Sequence, residues 1–360
     1  MSINKHILEI NTDNLKFLTI KIDENGKKNI FAKNTYKNYG MKDGYISNKE
    51  LFIDNFKKEL KKYEDKIKNK VDSIEILINS PANKFISQKA VQNTINQKII
   101  SDIDIEQLKS KILNSVPENW EVLDFYPIKY LVNDYEYYSD SNILNLESKK
   151  IEAQFALILA NKNNIQILEN IFGELKIEIE SIIFAPSTII NYLPEKNKNI
   201  GILSININDN ITSLSIIEND KIINIFQIKT GYTDFIKQYS IKNKIPFSTA
   251  EKELNDKNNF INLDLSEYFQ NIKKKLEKFN KNYHILFPSG VFIYGDNIKI
   301  DFFEDKIKNI LSLPLNKELD KIRVIEKKHD YTNLYSQIFF KKNKKKEYSL
   351  IDKIKKIFKF

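Results

Sequence analysis

The amino-acid sequence predicts an α/β protein in which two similar lobes face each other across a cleft. The first observation is a meander of three apolar strands near the start of the chain, followed by apolar residues at helical spacing. The second is that the same order of strands, polar turns and helices recurs about 200 residues later, which indicates a weak internal repeat. The third is a stretch between the two copies, residues 82–150, which continues neither copy and predicts an inserted α/β subdomain.

The first copy of the repeat begins with strands and leads into a long helix. Its strands alternate with turn residues such as Glu24-Asn25-Gly26, which are typical of tight connections. Apolar residues then recur at helical spacing from Phe52 to Ile67, with Asp, Glu and Lys between them, which predicts an amphipathic helix. The predicted strands are His6 to Asn11, Leu15 to Ile22, Asn29 to Ala32 and, after the helix, Ser73 to Ile78.

The inserted stretch and the second copy complete the predicted architecture. Ile103, Leu108 and Ile112 form a helical pattern within the insertion. The run from Ala153 to Ala160, apolar except for Gln154, predicts a buried strand with which the first lobe resumes. The insertion is predicted to hold strands at Glu121 to Phe125 and Tyr130 to Val132, and the second meander at Gly201 to Ile207, Ile211 to Ile217 and Lys221 to Ile228.

These patterns divide the chain into six parts. The predicted parts are a first-lobe core (1–81 and 151–195), an inserted subdomain (82–150), a second-lobe core (196–230 and 283–335), an outer subdomain of the second lobe (231–282), a lysine-rich linker (336–347) and an amphipathic helix (348–360).

Composition excludes several classes of protein. With 360 residues, 41% of them hydrophobic, the chain can bury one large core or two ordinary ones, which excludes a disordered chain. The absence of cysteine excludes disulfides, thiolate zinc sites and cysteine nucleophiles, and three scattered histidines argue against a histidine-rich metal site. No run of 18 apolar residues occurs and no signal-peptide pattern follows Met1, so we expect a protein that is neither secreted nor membrane-spanning.

The formal net charge of +9 is concentrated near the end of the sequence. Residues 341–360 hold nine lysines against Glu347 and Asp352, or +7, which leaves only +2 for the other 340 residues. Of the 57 basic residues only Arg323 is an arginine, and arginine provides most bidentate recognition of bases and phosphates. The charge distribution therefore predicts no nucleic-acid partner.

The basic tail has the pattern of an amphipathic helix. Its apolar residues lie on one helical face and its lysines on the other, an arrangement typical of helices that lie in a membrane interface. The upstream lysines add attraction to anionic lipid. The alternatives are a partner groove, docking on the chain's own domain, or nucleic acid. The predicted membrane-binding residues are Leu350, Ile351, Lys353, Ile354, Lys355, Lys356, Ile357, Phe358, Lys359 and Phe360.

Five short segments occur in the order found in a known family. They are Gly40 to Ile46, Val116-Pro117 through Asp134, Ala185-Pro186-Ser187, Ala250-Glu251 and Asp330 to Tyr335. Together with the meanders and the tail, they resemble the FtsA cell-division proteins of the actin-like family, and the resemblance covers most of the chain. It implies an actin-like (ribonuclease H-like) two-lobe fold with an inserted α/β subdomain and a C-terminal amphipathic helix.

The resemblance also implies where a nucleotide would bind. Actin-like proteins hold ATP with Mg²⁺ between two β-hairpin loops, whose glycines let backbone amides approach the phosphates. Here Glu9 and Asn206 stand where the family has aspartates, and most of the expected glycines are absent. Two interpretations remain, weak ATP binding without efficient hydrolysis or ordinary turns without a ligand. The candidate nucleotide-binding residues are Glu9, Asn11, Thr12, Asn206, Asn208, Asn210, Thr212, Ser289 and Gly290.

The function implied by the resemblance is mechanical. An FtsA-like protein tethers FtsZ filaments to the cytoplasmic face of the membrane at the division site, recruits other division proteins and self-associates into polymers. In the family, the FtsZ tail peptide docks on the outer subdomain of the second lobe, here about residues 231–282. The nearest alternative is a PilM-like protein of a type IV pilus or secretion platform. An active ATPase of the sugar-kinase and heat-shock superfamily would require intact phosphate loops.

Overall fold

A computed structural model describes residues 3–191, 201–254, 263–283 and 290–295, without the side chains of residues 94, 95 and 280–283. Four features predicted from the sequence lie outside these residues: the linker at 336–347, the amphipathic helix at 348–360, the segment from Asp330 to Tyr335, and Ser289. None of the described helices is long and apolar enough to cross a membrane.

The first lobe is built on a five-stranded sheet with the strand order β11-β6-β1-β2-β3. Its first three strands form the predicted antiparallel meander, while β6 and β11 lie parallel to β1 on its other side. The elements of this lobe are β1 (Ile3–Asn11), β2 (Asn14–Ile22), β3 (Lys28–Lys37), the short β4 (Met41–Lys42) and β5 (Tyr45–Ile46), α1 (Lys49–Ile67), β6 (Ser73–Asn79), α4 (Lys162–Glu174) and β11 (Glu178–Phe184).

Helix α1 forms where the sequence predicts it and covers one face of this sheet. Asn48 caps its start, because the Asn48 side chain accepts a hydrogen bond from the backbone N–H of Leu51. Phe56 contacts Phe17 of β2 and Phe172 of α4, with ring centroids 6.3 and 5.0 Å apart. The apolar stripe of α1 therefore joins the meander to the helix that follows the insertion.

The insertion forms its own four-stranded sheet in the order β7-β10-β8-β9. The two strands predicted at 121–125 and 130–132 are one continuous strand. A register shift opposite Phe155 accommodates Pro127, a residue that cannot donate to a regular ladder. The elements are β7 (Lys84–Ile99), α2 (Asp102–Leu113), β8 (Trp120–Val132), β9 (Tyr135–Tyr137), α3 (Asp140–Ile143) and β10 (Glu147–Asn161).

Strand β10 corrects the predicted end of the insertion. The run from Ala153 to Ala160 pairs with β7 and β8, so it belongs to the inserted sheet and not to the first-lobe sheet. From Phe155 to Ala160 it is apolar because both faces are buried: Phe155 lies in the core of the insertion, Ala156 packs with the second lobe, and Ile158 packs with the first. The first lobe resumes with α4.

The second lobe repeats the pairing pattern of the first. Strand β12 is antiparallel to β13 and parallel to β15, as β1 is to β2 and β6, and the sheet order is β14-β13-β12-β15. A 3₁₀ helix at Ala185–Asn191 follows β11. The elements are β12 (Ile202–Ile207), β13 (Thr212–Glu218), β14 (Lys221–Ile228), α5 (Tyr232–Asn243), α6 (Phe247–Leu254), α7 (Ser266–Tyr283) and β15 (Gly290–Gly295).

The insertion also contacts the second lobe. The hydroxyl of Tyr126 donates to the backbone oxygen of Ile222 at 2.8 Å, and the Lys221 ammonium donates to the backbone oxygens of Pro127 and Tyr138. These bonds link the β8 side of the insertion to β14. The inserted subdomain is therefore attached to both lobes.

Candidate functional site

Two hairpin turns, one from each lobe, form the candidate site. The first joins β1 to β2 at Asn11–Asn14, and the second joins β12 to β13 at residues 208–211. Their neighbours Glu9 and Asn206 lie two residues before the turns, on strands that hold equivalent places in the two sheets. The two hairpins therefore occupy equivalent positions in the two lobes.

The two hairpins bind each other directly. The side-chain amide of Asn14 donates to the carboxylate of Asp209 at 2.7 Å, and the amide of Asn210 donates to the carboxylate of Asp13. Each hairpin thus supplies one amide donor and one carboxylate acceptor. We call these four residues, Asp13, Asn14, Asp209 and Asn210, the interlobe latch.

The first hairpin holds Asn14 in the orientation that the latch requires. Asn11 donates its side-chain amide to the side-chain oxygen of Asn14 at 2.8 Å, while Asn38 donates to the backbone oxygen of Asn11 at 2.7 Å. Because the oxygen of the Asn14 side chain is occupied within its own lobe, its NH₂ group is directed to Asp209. Thr12, between Asn11 and the latch, is half-buried.

The second hairpin is held by the start of α5. The backbone N–H groups of Tyr232 and Thr233 donate to the backbone oxygens of Asn208 and Asp209 at 2.9 and 2.8 Å. Gly231 permits this approach, because a Cβ atom there would lie 2.2 Å from the Asn208 oxygen. These first-turn amides, which elsewhere provide anion sites, are therefore used by the chain itself.

Glu9 is fully buried, and its charge is balanced inside the first lobe. Its carboxylate lies 3.9 Å from the ammonium of Lys16, which is 2% exposed, and the Asn79 amide lies 3.5 Å from its other oxygen. A buried carboxylate needs such a cation, because an unpaired charge in the interior is costly. Lys16 was missed in the sequence, although one lysine within the apolar strand Leu15 to Ile20 signals it.

The remaining candidate residues have different surroundings. Asn206 is 1% exposed, and among the described residues neither polar atom of its side chain has a hydrogen-bond partner, as is also true of the Asn208 amide nitrogen. Thr212 has a structural role, since its hydroxyl donates to the Thr230 backbone oxygen at 2.8 Å and lies 2.9 Å from the Tyr268 hydroxyl.

Strand β15 places its glycines differently from the prediction. Gly290 pairs with Ile202, at the end of β12 away from the hairpin, so the structure does not bring Gly290 to the other candidates. Gly295 pairs with Ile207 beside the hairpin, and a Cβ atom there would lie 1.8 Å from the Ile207 oxygen. Its φ of +147° also favours glycine. The sequence signal that could have identified Gly295 is its position directly after the apolar run Val291 to Tyr294.

Charge at the latch opposes the binding of phosphates. Partial burial and the nearby Asp209 carboxylate raise the pKa of Asp13, and Lys237 acts in the opposite direction. In the described residues, no group of three or more His, Asp or Glu side chains is placed to hold a metal ion. With carboxylates at the rim and the hairpins bonded together, this arrangement does not fit the phosphates of Mg-ATP.

Comparison with solved structures shows the class of fold. The chain matches a chain of a PilM-PilN type IV pilus biogenesis complex with a TM-score of 0.69 and 14% identity, over 93% of this chain and 98% of that one. It matches MreB 5 of Spiroplasma citri bound to AMPPNP with a TM-score of 0.52 and 13% identity, over 96% and 98%. The protein has the actin-like fold predicted from its sequence.

The sequence comparison points to one kind of actin-like protein. Over 328 residues the chain is 20% identical to the cell division protein FtsA of Streptococcus pneumoniae serotype 2 (strain D39 / NCTC 7466), which covers 88% of this chain. The chain spans 65% of the length of that relative. No family model matches the sequence. The resemblance to FtsA is confirmed as a distant sequence similarity, and the matching solved structures show the actin-like fold.

Proposed function

We propose that this protein is an actin-like scaffold that tethers FtsZ filaments to the cytoplasmic face of the membrane at the division site and recruits other division proteins. The similarity to FtsA over 88% of the chain carries the proposal. The latch supports a mechanical role, since a protein whose hairpins bind each other is better suited to holding partners than to turning over ATP. Weak binding of ATP with Mg²⁺ would require the latch to open.

The proposed membrane attachment uses residues 348–360 as an amphipathic helix. Its apolar face would enter the interface of an anionic bilayer, and the lysines would contact lipid headgroups. A single short helix binds reversibly, so stable attachment needs several copies acting together. Self-association into polymers would provide this avidity and would explain why an actin-like body carries such a tail.

For FtsZ we propose contact at the corner between α5 and α6 in the second lobe. Ile241, at the end of α5, is 78% exposed, and Phe247, at the start of α6, is also exposed. Lys242 and Lys244 are exposed beside them. An apolar pair flanked by lysines suits an acidic peptide that has an apolar anchor.

The first test is recruitment of fluorescent FtsZ from the same organism to anionic liposomes. We expect the full chain to bind liposomes and bring FtsZ with it, whereas a chain that stops at Phe340 should leave both in solution. Membrane binding that persists without residues 341–360 would contradict the tether.

A pair of matched variants tests the FtsZ contact separately. Ile241→Glu should keep liposome binding and lose FtsZ recruitment by tenfold or more, which corresponds to about 1.4 kcal/mol. Ile103→Glu is the control, because Ile103 is 69% exposed on the inserted subdomain. Unchanged recruitment by Ile241→Glu, or equal loss in both variants, would remove this surface from the proposal.

A second candidate function is a PilM-like role in a type IV pilus or secretion platform. The observation that favours it is the structural match to the PilM-PilN complex, which covers 98% of that chain, whereas the sequence match covers 65% of FtsA. Liposome binding without FtsZ recruitment would favour this alternative.

A further inference from the structure

We propose that the interlobe latch replaces a bound nucleotide as the connection between the two lobes, so that the cleft is closed by the chain's own side chains. This inference concerns the cleft alone and holds for either function considered above. It departs from what the fold implies, since an actin-like neighbour, MreB 5, was solved with AMPPNP.

The latch is reciprocal, which distinguishes it from an incidental surface contact. Asn14 and Asp209 are 195 residues apart in the chain, and their bond at 2.7 Å is matched by the bond between Asn210 and Asp13. Both bonds have an amide donor and a carboxylate acceptor, a combination stronger than a bond between neutral groups. Opening the cleft must break both bonds together.

Each half of the latch is positioned by its own lobe. Asn11 occupies the side-chain oxygen of Asn14, so the Asn14 amide has one orientation. On the other side, the N–H of Thr233 holds the backbone oxygen of Asp209 at the start of α5. A carboxylate at the N-terminus of a helix is also favoured by the helix dipole.

The groups around the latch also reproduce the charges that Mg-ATP would bring. The Lys16 ammonium lies beside Glu9, where the family resemblance places a carboxylate that serves magnesium. Asn206 supplies an uncharged amide where that resemblance places a second carboxylate. Asp13 and Asp209 place negative charge between the hairpins and repel further anions. The chain therefore provides its own cation and its own anions.

The first experiment measures the distance between the lobes with two spin labels. The natural chain has no cysteine, so Lys42→Cys in the first lobe and Gln238→Cys in the second, both at exposed positions, give two labelled sites. We expect one narrow distance distribution, unchanged by 1 mM Mg-AMPPNP. Adding Asp209→Ala with Asp13→Ala should broaden it, whereas Asn25→Ala in an exposed turn should not. An unchanged distribution after loss of both aspartates would overturn the proposal.

Exchange of the latch partners provides a control for folding. Asn14→Ala or Asp209→Ala should each lower the melting temperature by about 2–4 °C, and the double variant should fall no further than the larger single effect. The exchanged pair, Asn14→Asp with Asp209→Asn, keeps one donor facing one acceptor and should restore most of the loss. Additive losses without restoration would show that these residues do not form a pair.

Titration with Mg-ATP tests the replacement directly. We expect no change in melting temperature and no heat of binding for the natural chain at 1 mM Mg-ATP. A binding constant in the micromolar range would overturn the proposal, since saturating ligand at 100 times its dissociation constant would raise the melting temperature clearly. Recruitment of FtsZ is a separate measurement, so either proposal can fail without the other.

Discussion

Within the interlobe latch, Asp13 is the residue whose hydrogen bond is opposed by charge repulsion. Its carboxylate accepts a hydrogen bond from Asn210 and also lies close enough to Asp209 for the two carboxylates to repel each other. Partial burial and that repulsion raise the pKa of Asp13 above its ordinary value. Asp13 therefore binds a proton more tightly in the folded than in the unfolded chain, and it contributes most stability below its unfolded pKa of about 3.9.

Replacing Asp13 with Asn should increase stability at neutral pH. Asn keeps an oxygen acceptor for Asn210 and removes the charge, so we expect the melting temperature to rise by about 1–3 °C at pH 7. The advantage should shrink as the pH falls toward about 4, because natural Asp13 then becomes protonated. Thermal unfolding between pH 4 and 8 measures this difference in melting temperature, and Asp65→Asn at an exposed position of α1 is the control. A variant that is less stable than the natural chain at pH 7 would contradict this assignment.

The second hairpin and α5 act as one structural element because Gly231 lets them touch. The N–H groups of Tyr232 and Thr233 reach the hairpin only where no Cβ stands between the two backbones. The backbone of Gly231 is extended, with φ of −147°, so the requirement for glycine is steric. The positions of Asp209 and Asn210 therefore depend on Gly231, which forms no bond of the latch itself.

Two glycine substitutions should change the free energy of unfolding in opposite directions. Gly231→Ala should lower the free energy of unfolding by about 1–3 kcal/mol, because its Cβ would lie 2.5 Å or less from the backbone oxygens of Asn208 and Asp209. Gly173→Ala in α4 should raise the free energy of unfolding by about 0.5–1 kcal/mol, since in the described part of the chain no atom outside its own helix turn lies within 4 Å of its Cβ position. Urea unfolding measures both. Equal effects at the two sites would refute the steric role of Gly231.

The individual helices and strands were predicted better than the pairing of the strands within the sheets. Alternation and helical spacing depend on neighbouring residues, so α1 and both meanders were found close to their observed bounds. Strand β10 was found as a buried strand and assigned to the wrong sheet, because its apolar run is the same whichever strands flank it. Strand β8 was predicted as two separate strands, because the sequence does not show that a register shift opposite Phe155 carries one strand past Pro127.

The whole molecule is held together by the inserted subdomain as well as by the latch. Strand β10 of the insertion packs against both lobes. Hydrogen bonds from Tyr126 of the insertion and from Lys221 of β14 also connect the insertion to the second lobe. The lobes are therefore joined at the cleft and at the insertion. The tethering role proposed above, in which force passes between a membrane and a filament, would use a body fixed in this way at two places.

Loss of the contact between the insertion and β14 should loosen the molecule without unfolding a lobe. Tyr126→Phe combined with Lys221→Met removes bonds to the backbone oxygens of Ile222, Pro127 and Tyr138, at a cost of about 1–3 kcal/mol. Hydrogen exchange should then accelerate in β14 and remain unchanged in β1. Tyr135→Phe is the control, because Tyr135 is exposed on the insertion. Equal acceleration in both strands would indicate general destabilisation instead.

The sequence by itself determined the two meanders, the long helix and the amphipathic pattern of residues 348–360, and its family resemblance marked Glu9 and Asn206 as standing where aspartates are expected. These features are carried by residue type and local spacing. Tertiary structure alone decided that Asn14 meets Asp209, that Lys16 is buried beside Glu9 and that Gly295 adjoins the second hairpin. Contacts between residues far apart in the chain leave no periodic signal, and only the packing of the lobes brings them together.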